Sequence, residues 1–282
     1  MPTYAEAPTR KVSAANGIEY AYREVGEGGV PLMLLMHFRG NLDNWDPALV
    51  DALAASRRVI AFDNTGVGES SGLTPSTVAQ MAQDAIAFVD ALELRELDLL
   101  GFSLGSFVAQ DIALTRPDLV RRLVLASSAP QGAPGMHGWA KWVIDSVGEP
   151  ETIPAKVLDV FYTQSPGSRG AGQEALGRMF ARGQRDMPTS WQTRQAQYDA
   201  VCAWGVPDIA LLERVTAIRA PVFIANGDSD PMILPRYSHL LAGLIPDAEI
   251  EIYPDAAHGF LFQHHQRFAN DVTRFLDQTE KS

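Results

Sequence analysis

Leu97-Asp98-Leu99-Leu100-Gly101-Phe102-Ser103-Leu104-Gly105 joins a short apolar run to a helical pattern that continues to Thr115 and is closed by Pro117. Leu97–Gly101 has the length and character of a buried strand, and Leu104–Thr115 those of a helix. Between them stands G-x-S-x-G, the pattern of a nucleophile elbow. A serine on so tight a strand-to-helix turn is strained, and glycines two before and two after it let the backbone close without a Cβ clash. Its hydroxyl projects above the sheet, while amides of the helix N-terminus point at negative charge developing nearby.

Further β-branched and apolar runs read as strands: Val30–Met36, Arg57–Phe62, Val120–Ala126, Ala220–Ala225 and Ala248–Tyr253. Lys11–Ser13 and Ile18–Arg23, separated by Ala-Asn-Gly, suggest a leading antiparallel hairpin. Thr77–Leu92 carries Val78, Met81, Ala85, Phe88, Val89 and Leu92 at helical spacing, and Phe268, Val272 and Phe275 mark a C-terminal helix. Strands alternating with helices imply βαβ units and a mostly parallel sheet covered on both faces, an α/β fold. The alternation breaks between about 130 and 212. That stretch is too long for a structureless loop in a compact domain, so residues 131–211 are expected to form a helical cap between core segments 1–130 and 212–282. Four of the five tryptophans fall there: Trp139, Trp142, Trp191 and Trp204. The cap either covers apolar sheet surface or acts as a lid whose aromatics line a pocket; the lid is the favoured reading.

Composition narrows the function. The 282 residues carry a net charge of −11, with 46% hydrophobic and 20% charged residues. This acidic balance argues against nucleic acid or an anionic membrane as partner. One cysteine, Cys202, excludes an intrachain disulfide and any multi-cysteine metal site, and is expected to be a small buried hydrophobe. No apolar run approaches the length of a membrane span, and the opening residues lack the apolar core of a signal peptide. A cytoplasmic protein acting on a small molecule is expected, as a monomer or homodimer.

A serine nucleophile needs a base, and the base an orienting acid. His258, in Asp255-Ala-Ala-His-Gly-Phe260, follows the last strand and is the candidate base. The acid is sought after the preceding strand, in Asn226-Gly-Asp-Ser-Asp-Pro231. Asp228, directly after Gly227, suits a turn role bonding its own backbone, which leaves Asp230 as the acid. Asp255 lies so close to His258 that a loop role is expected. His264 and His265 are expected to be solvated; His239 and His137 belong to no metal-binding pattern, and neither a metal nor a nucleotide cofactor is expected. The Leu104 amide and one from His37-Phe38-Arg39-Gly40, most plausibly that of Phe38, are the candidate oxyanion donors.

Taken together, these motifs make the chain resemble the α/β-hydrolases across essentially its full length. GFSLG resembles their elbow, NGDSD their acid turn and AAHGF their histidine loop; Asp63-Asn-Thr-Gly-Val-Gly-Glu-Ser70 resembles their structural D-x-x-G-x-G-x-S loop. The resemblance implies an eight-stranded sheet, a cap after the sixth strand, and cofactor-free hydrolysis through a Ser103–His258–Asp230 triad. It is similar to small bacterial esterases, lactonases and cofactor-free haloperoxidase-like perhydrolases; carbon–carbon bond hydrolysis by the same triad is a further possibility, and a weakly catalytic binding protein the rival class. Serine at 103 sets it apart from relatives that use an aspartate nucleophile. One departure is noted: the family's His-Gly precedes the oxyanion residue, and Met36-His37-Phe38 puts His37 in the glycine's place. His37, Arg39, Phe102, Met136, Trp139 and Trp142 are expected to face the substrate, with Arg39 either a surface charge or a reader of a substrate carboxylate.

Overall fold

The computed structural model of the protein describes residues 2–136, 138–149 and 153–279; His137 lies outside them. Eight strands, β1 Arg10–Ser13, β2 Glu19–Val25, β3 Leu32–Leu35, β4 Val59–Phe62, β5 Leu97–Phe102, β6 Val120–Ala126, β7 Val222–Gly227 and β8 Ala248–Tyr253, form one sheet in the order β1-β2-β4-β3-β5-β6-β7-β8. β1 and β2 make the leading hairpin, turned at Gly17 with φ 82°, and β2 continues antiparallel onto β4. From β4 to β8 every pairing is parallel. Residues of β3, β4, β5 and β7 are buried throughout, because a parallel sheet is covered on both faces. β2 instead alternates buried and less buried positions at the sheet margin.

Helices α1 Pro47–Ala54, α2 Val78–Ala91 and α3 Leu104–Thr115 connect the first strands, and α3 is buried along almost its whole length. Between β6 and β7 the chain forms α4 Lys141–Val147, α5 Pro154–Phe161, α6 Pro166–Met179, α7 Trp191–Trp204 and α8 Ile209–Glu213. α9 Pro235–Leu244, α10 Phe260–Gln263 and α11 His265–Leu276 complete the fold; α11 buries Phe268, Val272 and Phe275. Since β3 to β8 run the same way, the loops after β3, β5, β7 and β8 all emerge at one edge of the sheet, where ligands bind in open α/β sheets. No helix among the described residues is long and apolar enough to cross a membrane.

Candidate active site

Steric contacts explain the elbow's composition. Ser103 sits at φ 55° and ψ −121°, outside the regions open to most side-chain-bearing residues. A Cβ on Gly101 would stand 2.4 Å from the carbonyl oxygen of Gly105, and one on Gly105 would stand 2.1 Å from that of Leu35. Neither backbone oxygen can retreat, so β5, α3 and the end of β3 meet only because both positions lack a side chain. The turn is fastened by the Ser103 N–H to Ala126 O (2.9 Å) and by the Ser106 hydroxyl, which donates to Ser103 O (2.5 Å).

The structure brings three residues from three loops into one chain of hydrogen bonds. His258 Nε2 lies 2.9 Å from Ser103 Oγ, and His258 Nδ1 lies 2.8 Å from Asp230 Oδ2. All three are almost fully buried. The other oxygen of Asp230 accepts the Met232 and Ile233 amides at 2.8 and 3.0 Å, which fixes the carboxylate's orientation. Asp228 is not bonded to the backbone of its own turn as expected. Its carboxylate crosses to the histidine loop, accepting the Asp255 and Ala256 amides at 2.9 and 3.2 Å. Asp255 in turn accepts the hydroxyls of Thr163 and Ser165, both at 2.6 Å, tying the histidine loop to the segment between α5 and α6. His264 and His265 are partly buried rather than solvated; the His264 ring packs on Tyr253. Cys202 is likewise only partly buried.

After β3, His37 has Nδ1 2.8 Å from its neighbour's carbonyl, Phe38 O, and its ring sits edge-on to Phe102 and Phe161. Burial, reinforced by the charge that His258 would carry, pushes its pKa down to about 4. The imidazole is therefore neutral, with Nδ1–H donating and Nε2 left as an acceptor. The side chain at 37 does not strain the loop; the left-handed bend falls two residues on, at Arg39 with φ 67°. The Arg39 amide is committed to Gln197 Oε1 at 2.7 Å. Arg39 is not a free surface charge either: its Nη1 donates to Val147 O and Glu149 O at the end of α4. Asp63 and Ser70 hold the neighbouring loop: Asp63 accepts the Leu42 and Glu69 amides, and Ser70 Oγ donates to Asp63 O.

A cavity of about 570 Å³ opens above Ser103 and His258, between the sheet edge and α5, α6 and the start of α7. His37, Phe38 and Arg39 line it. Phe102, Met136, Trp139 and Trp142 do not, which corrects the expectation for those four. Phe102 is buried beneath, its ring against His258, His37 and Phe262; Met136 is buried elsewhere in the core. Trp139 packs behind Phe38 against Tyr198, and Trp142 is about half exposed on the outside of α4. The apolar lining comes instead from residues such as Val160, Phe161, Leu176, Met179 and Trp191. One stretch of the wall is polar, with Asn44, Tyr162, Arg185 and Asp186. Asp186 belongs to a buried ion network: Arg23 donates to Asp43 at 2.7 Å and to Asp186 at 3.0 Å. Burial and the nearby Asp43 raise the Asp186 pKa to about 6, although Arg23 opposes the rise. No sequence motif marks these residues, since segments far apart in the chain build the wall together.

A sequence model described as the alpha/beta hydrolase family matches residues 33–271. The chain belongs to the alpha/beta hydrolase family and is a hydrolase. Among solved structures it is similar to an alpha/beta hydrolase fold protein from Chitinophaga pinensis, 39% identical, with a TM-score of 0.92 over 99% of this chain and 100% of that one. Among curated proteins it is 30% identical to the 2-hydroxymuconate semialdehyde hydrolase of Pseudomonas sp. (strain CF600), over 96% of this chain and 94% of the relative. It is 27% identical to the pimeloyl-[acyl-carrier protein] methyl ester esterase of Aliivibrio salmonicida, over 91% and 95% respectively.

Proposed function

We propose that the protein hydrolyses a carboxylic ester or lactone of a small, largely apolar substrate through an acyl-enzyme on Ser103. The observation that carries this reading is the unbroken relay from Ser103 Oγ through His258 to Asp230 at the floor of a mostly apolar cavity. Asp230, held by two amides, accepts from Nδ1–H, so the lone pair of His258 Nε2 faces the serine hydroxyl. His258 takes the Ser103 proton as Oγ attacks the carbonyl, and Asp230 stabilises the imidazolium. The negative charge that develops on the carbonyl oxygen is received by the Leu104 amide, an unbonded donor of the first turn of α3, and by the Phe38 amide. The leaving alcohol departs with the proton from His258. A water then gives its proton to the same nitrogen and attacks the acyl carbon; His258 returns that proton to Ser103 Oγ as the C–Oγ bond breaks and the acid is freed. Burial of the triad under the cap keeps these polar interactions strong and water access limited.

The relative named for a semialdehyde, 30% identical over nearly the whole chain, favours a second reading in which the same triad hydrolyses a carbon–carbon bond beside a carbonyl. Turnover of p-nitrophenyl esters of graded chain length, wild type beside Ser103→Ala, tests the first reading. Ester hydrolysis that disappears with the hydroxyl is expected. Ester hydrolysis unchanged by the substitution would remove Ser103 from the mechanism; turnover of a vinylogous diketone with none of any ester would select the second reading.

A further inference from the structure

We propose that Gln197, on cap helix α7, is a positioning residue for the oxyanion loop, so that the cap helps to set catalytic geometry besides shaping the pocket. The inference rests on the acyl-transfer reading above and on contacts not used there. The inner face of α7 is unusual in carrying buried polar residues along its first half: Thr193, Arg194 and Gln197. Buried polar side chains need partners, and Thr193 and Gln197 each find one on the core loops. Thr193 Oγ1 donates to Gly66 O at 2.9 Å. The Arg194 guanidinium lies over the Phe38 ring, 5.9 Å from its centroid, and over Trp191 and Tyr198. Gln197, 1% exposed, accepts the Arg39 amide at 2.7 Å.

The peptide units around Arg39 are gripped on both sides. While Gln197 holds the amide, the Thr189 hydroxyl, just ahead of α7, donates to the Arg39 carbonyl at 2.6 Å. Arg39 also carries the loop's left-handed bend, a conformation a non-glycine residue keeps only where its surroundings impose it. The plane of the Phe38–Arg39 peptide is set by the bond to Gln197, and the Phe38 amide is one residue away. With Gln197 in place, the Arg39 N–H is withdrawn from the substrate and the Phe38 N–H is left as the loop's donor. Removing the Gln197 acceptor frees this bend to relax, and the Phe38 donor drifts from the position of the tetrahedral oxyanion. An effect confined to the developing charge lowers kcat and leaves substrate binding nearly untouched.

Gln197→Met, which keeps the length but not the acceptor, is expected to lower kcat for p-nitrophenyl butyrate about 10- to 100-fold with KM within about twofold, the scale of a small misplacement. Gln197→Glu, which retains an oxygen acceptor, is expected to recover most of that loss. Thr189→Val acts on the other side of Arg39 and is expected to lower kcat in the same direction, less than additively with Gln197→Met. Unchanged kcat in Gln197→Met, a rise in KM alone, or equal losses in the Met and Glu variants would overturn the inference. Should Gln197→Met fail to fold, Thr189→Val decides alone: wild-type kcat there overturns it. Failure of the acyl-transfer reading shows separately, as wild-type ester turnover that survives Ser103→Ala.

Discussion

At Ser103 the chain holds a side-chain-bearing residue where glycine would sit more easily, with φ 55° and ψ −121°. Strain of this kind amounts to about 1–3 kcal/mol and persists only where the surroundings impose it. Ser103→Gly relieves it at the expense of about 0.5–1 kcal/mol of extra backbone freedom in the unfolded chain. Ser103→Ala keeps the Cβ and the strain while losing the same hydroxyl. The glycine variant is therefore expected to be more stable than the alanine variant by about 1 kcal/mol in urea unfolding, with both inactive. Equal stabilities would put the strain at only about 0.5–1 kcal/mol, and a glycine variant less stable than the alanine variant by that amount would mean that the turn is not strained. The elbow was legible in the sequence because its glycines answer to contacts made within nine residues, with only the end of β3 added. Asp230 was picked out in the sequence by giving Asp228 a turn role; it does stand 2.8 Å from His258 Nδ1, but that ground for setting Asp228 aside fails, since Asp228 bonds the histidine loop instead. What Asp228 does was not legible, because its partners lie across a loop whose path depends on the whole sheet.

Among the elements, the cap shows where the reading of patterns stops. Helical stretches between β6 and β7 follow from length and spacing, but their inward faces do not. α6 and α7 contain many small and polar residues, and α7 turns Gln197 inward while Trp191 stands half exposed at the cavity rim. The number of tryptophans was a poor guide to the pocket for that reason: Trp191 lines it, but Trp204 stacks on Phe107 and Trp139 packs behind Phe38. The helices between β6 and β7 are joined to the rest of the chain by polar bonds as well as by apolar contact. Arg178, in the last turn of α6, donates to both oxygens of Asp46 at 2.8 and 2.6 Å, and Asp46 also caps α1 through the Ala48 amide. Asp46 is fully buried, so Arg178→Met leaves its charge with a single amide as partner. The expected loss is about 2–3 kcal/mol, below the value for a fully buried pair because Arg178 keeps some contact with water. Because Asp46 and Arg178 interact electrostatically with Tyr162, which lines the cavity, KM should rise as well. A melting temperature and KM both unchanged would show that this pair does not hold the cap.

Across the whole molecule, parallel strands deliver four loops to one edge, and helices between β6 and β7 line, with them, a cavity where two groups have displaced pKa values of opposite effect. His37 stays neutral in the folded protein down to about pH 4, whereas the unfolded chain takes up a proton near 6.5. Between those values the unfolded state binds more protons at this site, so the His37 contribution to stability is full above about 6.5 and falls as pH drops toward 4. Asp186 works the other way. Its folded pKa near 6 lies above the ordinary 3.8, so the folded state takes up the proton first and stability at this site rises as pH falls through that interval. The two slopes oppose each other over their shared range, and single substitutions separate them. Relative to wild type, His37→Gln is expected to gain stability steadily from pH 7 to pH 4.5, while Asp186→Asn loses it over the same interval. Urea unfolding of the three proteins at half-unit pH steps measures both differences. Parallel curves for His37→Gln and wild type would mean that His37 takes up its proton at the same pH in the folded and unfolded chains, so that below about pH 6.5 the cavity would face a charged imidazole with no acceptor at Nε2. Parallel curves for Asp186→Asn would mean that the Arg23 network keeps the carboxylate ionised, leaving the polar wall of the pocket charged where a neutral acid is expected below pH 6.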